Sequence, residues 1–422
     1  MFIEKLKIKN FRCFQELEID FGEKDRIRPR TLILGENGTG KSTILKAIAL
    51  ATAGSNALGE LLGKPEDWIK NNEDFCRIDI QMKTQKGEER KIYLEIRNGD
   101  RLADVIKRCD ESFKQLDDAL EHAERNYFVV GYGASRIMSS SASFNSKSRN
   151  MGRFYSSQRA QCIASLLDKT YSLNSIEQWA VDLDYRKNDG LGIVEKVFEI
   201  LDGVKFHGLD RDQYKLMVKT DDGVIPIDGL SDGYQNMVSW IGDLLYRVTD
   251  IFKDHQDPLN ARGVLLIDEI DLHLHPIWQR KLLDFIKTTL PNMQLIATTH
   301  SPFVAQQAGP GELFTIERNN DNQLHIDQFT GNPQELLLHQ LIMSDVFGLK
   351  TDESRHVEEL KLEHDSLMNL ANRDNTQEDK LKQVKKQLDE VPISEYSNSE
   401  ISKDELEVSL NVLKMYKDKR KE

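Results

Sequence analysis

The chain has 422 residues, of which 39% are hydrophobic and 30% charged, and its formal net charge is −13. This size and composition predict a soluble protein with a large α/β core and an inserted lobe, and the acidic balance argues against a surface that coats nucleic acid throughout. No apolar stretch approaches the length of a membrane helix, and the four scattered cysteines lack C-x-x-C spacing. We therefore expect a cytoplasmic protein with reduced thiols and no membrane partner.

The N-terminal region predicts strands on either side of a glycine-rich loop. Residues 1–14 and 16–21 alternate as a hairpin, and the apolar run 31–34 predicts a buried strand. Gly35–Ser42 then matches the phosphate-loop pattern G-x-x-x-x-G-K-[ST] at every fixed position, and a helical run follows to residue 50. The alternative, a glycine-rich turn without a ligand, is disfavoured by this strand–loop–helix context.

The loop composition assigns roles to individual residues. Its glycines let the backbone wrap a phosphate chain, and the helix N-terminus offers N–H groups and the positive end of a dipole. Lys41 would reach the β- and γ-phosphates of ATP, and the Ser42 hydroxyl would ligate Mg²⁺. The residues expected to contact nucleotide here are Asn37, Gly38, Thr39, Gly40, Lys41, Ser42 and Thr43.

The middle of the chain predicts a hairpin over 75–82 and 91–96, a helix over 100–125, a flexible Ser-rich loop over 137–157 and helices over 158–203. A second hairpin, over 216–227, follows. Two clusters offer a basic path for nucleic acid, although a solvated mobile loop is the more common explanation of such clusters. They comprise Lys24, Arg26, Arg28 and Arg30, and then Lys147, Arg149, Arg153 and Arg159 around Phe154 and Tyr155.

Leu230–Gln235 opens a helix that is predicted to run to about Val248. Ser231 is a plausible N-cap, and Gly233 would allow a close approach to the backbone. Ser-Asp-Gly is also common in ordinary turns, so this segment indicates a function only in combination with the other motifs of the chain.

Two further apolar strands end in groups suited to phosphate chemistry. Val264–Ile267 is followed by Asp268, which would hold Mg²⁺ through water, and by Glu269, which would orient the attacking water. The strand over 294–299 ends at His300, where a sensor of the γ-phosphate would lie. The alternatives are an ordinary acidic strand end and a packed histidine.

The C-terminal region predicts a hairpin over 312–317 and 323–329, an amphipathic helix over 333–347, and charged helices over 353–386 and 404–419. A sparse apolar stripe on the tail could be a partner surface, the alternative being a solvated helix. The stripe consists of Leu360, Leu362, Leu367, Leu370, Leu381, Val384 and Leu388.

The order of these motifs resembles the SMC/RecF-like branch of ATP-binding-cassette ATPases: phosphate loop, signature at Ser231 and Gly233, Asp-Glu strand, His strand. In the signature, Asp232 replaces the usual first glycine. The resemblance implies nucleotide contacts from Asn10 and Arg12 in the first strand, and it makes Asp271 part of a D-loop. It explains Asp271, His273 and His275 better than a metal site does.

One element of that family is missing from the sequence. No clear Q-loop glutamine follows the strand over 127–132; Arg136 stands near its place, and Gln158 and Gln161 come later. Within the branch, Tyr132–Arg136 recurs in bacterial defence ATPases, and the whole pattern is most similar to the ATPases of Septu anti-phage systems.

The resemblance implies an α/β P-loop NTPase with a cassette-ATPase head fold: a mixed central sheet, flanking antiparallel strands, an inserted helical lobe and C-terminal helices. We expect four divisions: an N-terminal ATPase lobe with the phosphate loop (1–136), an inserted loop and helical lobe (137–229), a C-terminal ATPase lobe with the other motifs (230–350), and a charged helical tail for partner or oligomer contacts (351–422). It implies an ATPase that uses ATP and Mg²⁺, forms a homodimer through composite sites or a higher oligomer, and switches a separately encoded nuclease such as an HNH protein. A RecF-like DNA-repair ATPase that binds DNA directly is the alternative. No nuclease motif is visible, and the interval between Arg136 and Leu230 lacks the heptads of a long coiled-coil arm.

Overall fold

The computed structural model describes residues 1–23, 26–84, 87–121, 128–138, 155–185, 191–319, 321–349, 351–370 and 374–391. The chain divides into one unit spanning Met1–Leu349 and a second spanning Lys350–Glu422. Across these described ranges, no helix combines the length and the apolar character needed to cross a membrane.

The strands run in chain order as β1 (Phe2–Phe11), β2 (Phe14–Asp20), β3 (Gly22–Glu23), β4 (Arg26–Ile27), β5 (Arg30–Gly35), β6 (Phe75–Lys83), β7 (Glu89–Arg97), β8 (Val129–Tyr132), β9 (Ile137–Met138), β10 (Ser172–Leu173), β11 (Lys205–Asp210), β12 (Lys215–Thr220), β13 (Gly223–Pro226), β14 (Gly263–Ile267), β15 (Met293–Thr298), β16 (Leu313–Arg318) and β17 (Leu324–Gln328). The helices are α1 (Lys41–Ala51), α2 (Gly54–Leu61), α3 (Leu102–Arg108), α4 (Asp110–Glu121), α5 (Gln158–Leu167), α6 (Ile176–Tyr185), α7 (Leu191–Phe198), α8 (Asp232–Ile251), α9 (Pro276–Thr289), α10 (Pro302–Ala305), α11 (Leu338–Ile342), α12 (Arg355–Met368) and α13 (Asn375–Asp389).

The central sheet has six strands in the order β17-β16-β5-β15-β14-β8. All pairs from β16 to β8 are parallel, and β17 joins β16 as an antiparallel edge strand. The residues of β14 and β15 are buried along their whole length, because both faces of a parallel sheet are covered. The carboxyl ends of β5, β14 and β15 therefore meet at one edge of the sheet.

A second sheet lies beside the core, with the antiparallel order β2-β1-β6-β7. Its strands alternate between buried apolar residues and outward-facing charged residues, as expected for a sheet with one wet face. Helix α1 contacts strands of both sheets. Its small residues Ala47, Ala49 and Ala51 are fully buried, which lets the backbone of the helix lie close to both layers.

The inserted lobe contains α5, α6 and α7, followed by the antiparallel meander β11-β12-β13. The long helix α8 then packs against α6 and α7 and leads back to the central sheet through β14. The observed mixed sheet with flanking antiparallel strands and helical insert confirms the predicted α/β fold class.

Most predicted hairpins are present, but four local predictions need correction. The helix predicted over 100–125 is two helices, α3 and α4, and the region 158–203 also contains the short strand β10. The predicted hairpin at 216–227 has a third strand, β11. The helix predicted over 333–347 is wrong: Pro333–Glu335 forms a 3₁₀ turn, and only Leu338–Ile342 is α-helical. The predicted helix over 404–419 and most of the loop over 137–157 lie outside the described residues.

The tail prediction is also modified by the structure. Helices α12 and α13 pack against each other, and Lys380 pairs with Glu363 across them. Of the apolar stripe, Leu360, Leu367 and Val384 are buried, whereas Leu362 and Leu370 are exposed. These three buried residues of the stripe are therefore not part of an exposed partner surface.

Candidate functional site

The phosphate loop connects β5 to α1 through a backbone that only glycine tolerates. Gly38 and Gly40 have φ values of 81° and 92°, in the left-handed region. A Cβ on Gly40 would also come within 2.6 Å of the Cys13 Sγ and 2.7 Å of the Phe14 ring. The first turn of α1 starts directly at Lys41; the Thr43 N–H donates to the Gly40 carbonyl, whereas no described hydrogen bond uses the N–H groups of Lys41 and Ser42. These donors make the loop a ready anion site.

Lys41 lies inside this loop and is 7% exposed. Its Nζ donates hydrogen bonds to the carbonyl oxygens of Gly35 and Glu36, both at 2.8 Å. Burial lowers the pKa of the Lys41 ammonium, and the charges of the Asp268, Glu269 and Asp271 carboxylates oppose that shift. The predicted lysine and the three predicted acids thus share one electrostatic environment.

Asp268 lies at the end of β14 and is 6% exposed. Its Oδ1 accepts a hydrogen bond of 2.7 Å from the Thr298 hydroxyl, at the end of the neighbouring strand β15. The same Thr298 Oγ1 accepts a 2.7 Å bond from the backbone N–H of Glu269. Thr298 therefore holds both predicted acids, a role that the sequence analysis missed because a threonine ending a strand carries no motif.

Glu269 has a φ of 49°, a left-handed conformation that is uncommon for a residue with a long side chain. Arg136 holds its backbone on the carbonyl side. The Arg136 Nη2 donates to the backbone carbonyl oxygens of Asp268 and Glu269, each at 2.8 Å. Arg136 is 7% exposed, and burial lowers the pKa of its guanidinium to about 10. Arg136, which stands near the position expected for the Q-loop glutamine, thus donates to the backbone of the predicted catalytic pair.

The glutamines that follow in sequence do not replace it. The Gln158 side chain donates to Asp250, and that of Gln161 donates to the carbonyl of Tyr155. Both bonds lie in the region of α5, so neither amide reaches the acids.

Asp271 and His300 are connected through the end of β15. Asp271 Oδ1 accepts bonds from the Thr299 hydroxyl at 2.5 Å and from the His300 backbone N–H at 3.3 Å. The His300 side chain is exposed and lines a cavity of about 460 Å³ together with Gly35, Glu36 and Thr39. The structure thus brings the predicted sensor histidine to the edge of the phosphate loop.

The metal alternative for the D-loop is not supported. Among the residues that the structure describes, no cluster of three His, Cys, Asp or Glu side chains could hold a metal ion. His275 instead caps α9, because its Nδ1 accepts a 3.3 Å bond from the N–H of Ile277.

Asn10 and Arg12 lie at the turn between β1 and β2, both with φ values of 51°. Asn10 is 5% exposed and its amide donates to Glu73 at 2.8 Å, so this side chain already has a structural partner. Arg12 is exposed, and its guanidinium lies 4.1 Å from the centre of the Trp68 ring. The adjacent residue Cys13 contacts the phosphate loop at Gly40, which makes Arg12 the better placed of the two for nucleotide.

Ser231 and Gly233 form the start of α8, apart from the phosphate loop. Ser231 is the N-cap residue and is exposed, but its side chain makes no cap bond. A Cβ on Gly233 would meet the His273 oxygen at 3.5 Å and the Trp278 ring at 3.7 Å, which are ordinary contacts. Within the described ranges, no hydrogen bond or ring contact joins either residue to the phosphate loop. The predicted signature segment packs against His273 and Trp278 instead.

Several arginines of the predicted basic path already have partners within the chain. Arg28 is buried and donates to the Asp20 carbonyl, and Arg30 pairs with Glu312 at 3.1 Å. Arg159 pairs with Asp117 at 2.6 Å, while Arg26 stays exposed. Lys24, Lys147, Arg149, Arg153 and Phe154 lie outside the described residues.

A family model described as AAA domain matches residues 5–250, more than half of the chain. The chain belongs to the AAA domain family. This AAA domain protein is similar to Septu protein PtuA of Bacillus mycoides (strain KBAB4), with 28% identity over 82% of this chain and 45% of that protein. It is also similar to Septu protein PtuA of Bacillus thuringiensis, with 28% identity over 84% of this chain and 85% of that protein.

A third relative of this AAA domain protein is the retron Vc95 probable ATPase of Vibrio cholerae serotype O1 biovar El Tor. The identity is 25%, over 78% of this chain and 76% of that protein. The chain thus spans less than half the length of the first relative and most of the other two. These similarities confirm the predicted resemblance to the ATPases of Septu systems.

Proposed function

We propose that this chain is the ATP-binding and ATP-hydrolysing subunit of a bacterial anti-phage defence complex, whose nucleotide state switches a separately encoded nuclease. The supporting observation is the convergence of a complete phosphate loop with the buried Asp268 and the partly exposed Glu269 at the edge of one parallel sheet, in a chain similar to Septu and retron proteins. A nuclease of the HNH class is the proposed reader of that state.

The residues present fit ATP and Mg²⁺. The left-handed glycines and the N–H groups of Lys41 and Ser42 at the start of α1 suit a phosphate chain, with the Lys41 side chain at its centre. Ser42 would ligate the metal and Asp268 would hold it through water; the contacts described for Asp268 use only its Oδ1, which leaves Oδ2 to accept from such a water. Bound Mg²⁺ would neutralise charge that develops on the phosphates.

Glu269 is the proposed group that orients the attacking water, and His300 would contact the γ-phosphate. Because phosphoryl transfer relies on positioning and electrostatics, loss of one carboxylate should stop turnover while ATP binding persists. In purified protein, Glu269→Gln should bind ATP with wild-type affinity in calorimetry and release almost no phosphate. His300→Ala should lower turnover less severely. A Glu269→Gln protein that hydrolyses ATP at the wild-type rate would place the water-orienting group elsewhere.

The composite site of a homodimer would use the start of α8. Ser231 and Asp232 at this helix start are exposed, and the Ser231 side chain makes no cap bond, which suits the γ-phosphate of a partner's nucleotide. The packing of this chain does not itself require glycine at Gly233, since an added Cβ would meet only ordinary contacts. Ile277, at the start of α9, is 51% exposed and adds apolar area beside this segment.

The nuclease partnership is tested by co-purification of the tagged chain with the products of its native operon. A nuclease that co-purifies and changes activity with ATP supports the proposal. Tight ATP-dependent binding of duplex DNA by the purified chain alone, without a nuclease, would instead favour a RecF-like repair ATPase.

A further inference from the structure

The backbone around Glu269 is held from two sides. Its left-handed φ of 49° is costly for glutamate and persists only where the surroundings fix it. Thr298 accepts its N–H, and Arg136 donates one nitrogen to its carbonyl oxygen and to that of Asp268. The direction of the Glu269 carboxylate therefore depends on Arg136, although the guanidinium does not touch the carboxylate in any described contact.

Arg136 is in turn attached to the signature helix α8. Its guanidinium lies 5.4 Å from the centre of the Trp240 ring, and Trp240 is fully buried in that helix. The segment that carries Arg136 is tied to α8 at its other end as well, since the Tyr132 hydroxyl donates to Asp243 at 2.8 Å. The loop over 132–136 is thus fixed to α8 at both ends and to the Asp-Glu pair through Arg136.

Asp243 itself is firmly anchored. It is fully buried, accepts a 2.6 Å bond from Arg247 one turn further along α8, and accepts two bonds from Asn174 in the inserted lobe. A buried, fully paired carboxylate of this kind is a rigid attachment point, because breaking one partner would leave a charge unpaired. A displacement of α8 would therefore be passed to the 132–136 segment.

We propose that Arg136 is a positioning residue for ATP hydrolysis: it holds Glu269 in its left-handed conformation and links that conformation to the position of the signature helix. The inference rests on the proposed ATPase function. In this role Arg136 takes the place of the missing Q-loop glutamine, but it acts through the backbone of the acid pair. Hydrolysis would then respond to whatever the start of α8 engages.

The first test compares two substitutions of Arg136 with a matched control. Arg136→Met removes the donor, whereas Arg136→Lys keeps a cation that can still donate. Arg28→Met is the control, because Arg28 is also buried, also donates to a backbone carbonyl and also lies over an aromatic ring, that of Phe314. We expect kcat to fall by about 10- to 100-fold in Arg136→Met, with unchanged ATP affinity.

Arg136→Lys should recover part of the lost kcat, and Arg28→Met should lower thermal stability without changing kcat. The positioning role is wrong if Arg136→Met has the same kcat as Arg28→Met. It is also wrong if the two Arg136 variants lose ATP affinity by the same factor as they lose kcat. Should Arg136→Met fail to fold, Arg136→Lys decides: a kcat equal to wild type contradicts the proposal.

The second test examines the link to α8 with a double-mutant cycle. Trp240→Leu removes the ring over the guanidinium, and Trp240→Phe keeps one. We expect Trp240→Leu to lower kcat at unchanged ATP affinity and to be non-additive with Arg136→Lys, whereas Trp240→Phe should stay near wild type. Additive effects would refute the link. Wild-type protein without ATPase activity would refute the proposed function instead, so the two failures are distinguishable.

Discussion

Thr298→Val replaces one buried hydroxyl by a methyl group of nearly the same volume. Thr298 is fully buried at the end of β15, and its Oγ1 makes two bonds of 2.7 Å, donating to the Asp268 carboxylate and accepting from the Glu269 N–H. The substitution leaves both of those groups without this partner. It therefore perturbs the acid pair without changing either acid.

The expected magnitude follows from those two bonds. A hydrogen bond to a charged carboxylate contributes about 2 kcal/mol and one to a backbone N–H about 1 kcal/mol, so the free energy of unfolding should fall by about 3 kcal/mol. That corresponds to roughly a hundredfold change in the folding equilibrium constant. Because Glu269 also loses one of its two backbone anchors, kcat should fall as well.

A matched control lies on the neighbouring strand. Thr31 on β5 is also fully buried and pairs with Ile296 of β15, but its Oγ1 has no hydrogen-bond partner among the described residues. Thr31→Val should therefore leave stability unchanged or raise it slightly, since it removes an unpaired polar atom.

Urea unfolding followed by circular dichroism, together with steady-state phosphate release, measures both effects. The reasoning requires a lower unfolding midpoint and a lower kcat for Thr298→Val than for Thr31→Val. Equal midpoints and equal rates for the two variants would refute the assignment of Thr298 as the residue that holds the acid pair.

Three further predictions follow from the site. Lys41→Ala removes the cation enclosed by the phosphate loop, so ATP affinity in calorimetry should drop at least tenfold; unchanged affinity would exclude this loop as the nucleotide site. Ser231→Arg places a bulky cation at the start of α8, so ATP binding should persist while ATP-dependent dimers disappear in sedimentation; intact dimers would argue against a composite site. Truncation after residue 350 removes the second unit, and we expect ATP binding to survive while partner assembly and phage protection are lost; a truncated chain that still protects cells would place the coupling surface before residue 350.

The local motifs were predictable because each combines a pattern with a structural context. The phosphate loop needs glycines at fixed spacing between a strand and a helix, and β5 and α1 flank it as expected. The acids follow a fully apolar run and His300 follows a largely apolar one, and such runs are strong signals of buried parallel strands. The mixed central sheet and the flanking antiparallel strands also agreed with the predicted fold class.

The remaining features depend on contacts between distant segments. Thr298 and Arg136 act on Glu269 from positions 29 and 133 residues away in sequence, and neither belongs to a spaced motif. Strand β11 was not predicted, and its register with β12 shifts between Phe206 and Gly208. The helix predicted over 333–347 was wrong because the prediction gave more weight to apolar spacing than to Pro333. The structure has a 3₁₀ turn at Pro333–Glu335, and only the short helix α11 follows it.

Glu269 shows which part of the proposed mechanism a sequence motif leaves undetermined. Strand β14 lies between β15 and β8 in the sheet, and each neighbour supplies one of the two groups that hold the residue after its end: Thr298 from β15 and Arg136 from the segment after β8. The registers of both strand pairs therefore set where the Glu269 carboxylate points, and a slip of one residue in either pair would remove an anchor. A sequence pattern can place an acid at the end of a strand. The orientation that we propose for hydrolysis is a property of three strands together, and in the proposed role of Arg136 it extends to α8.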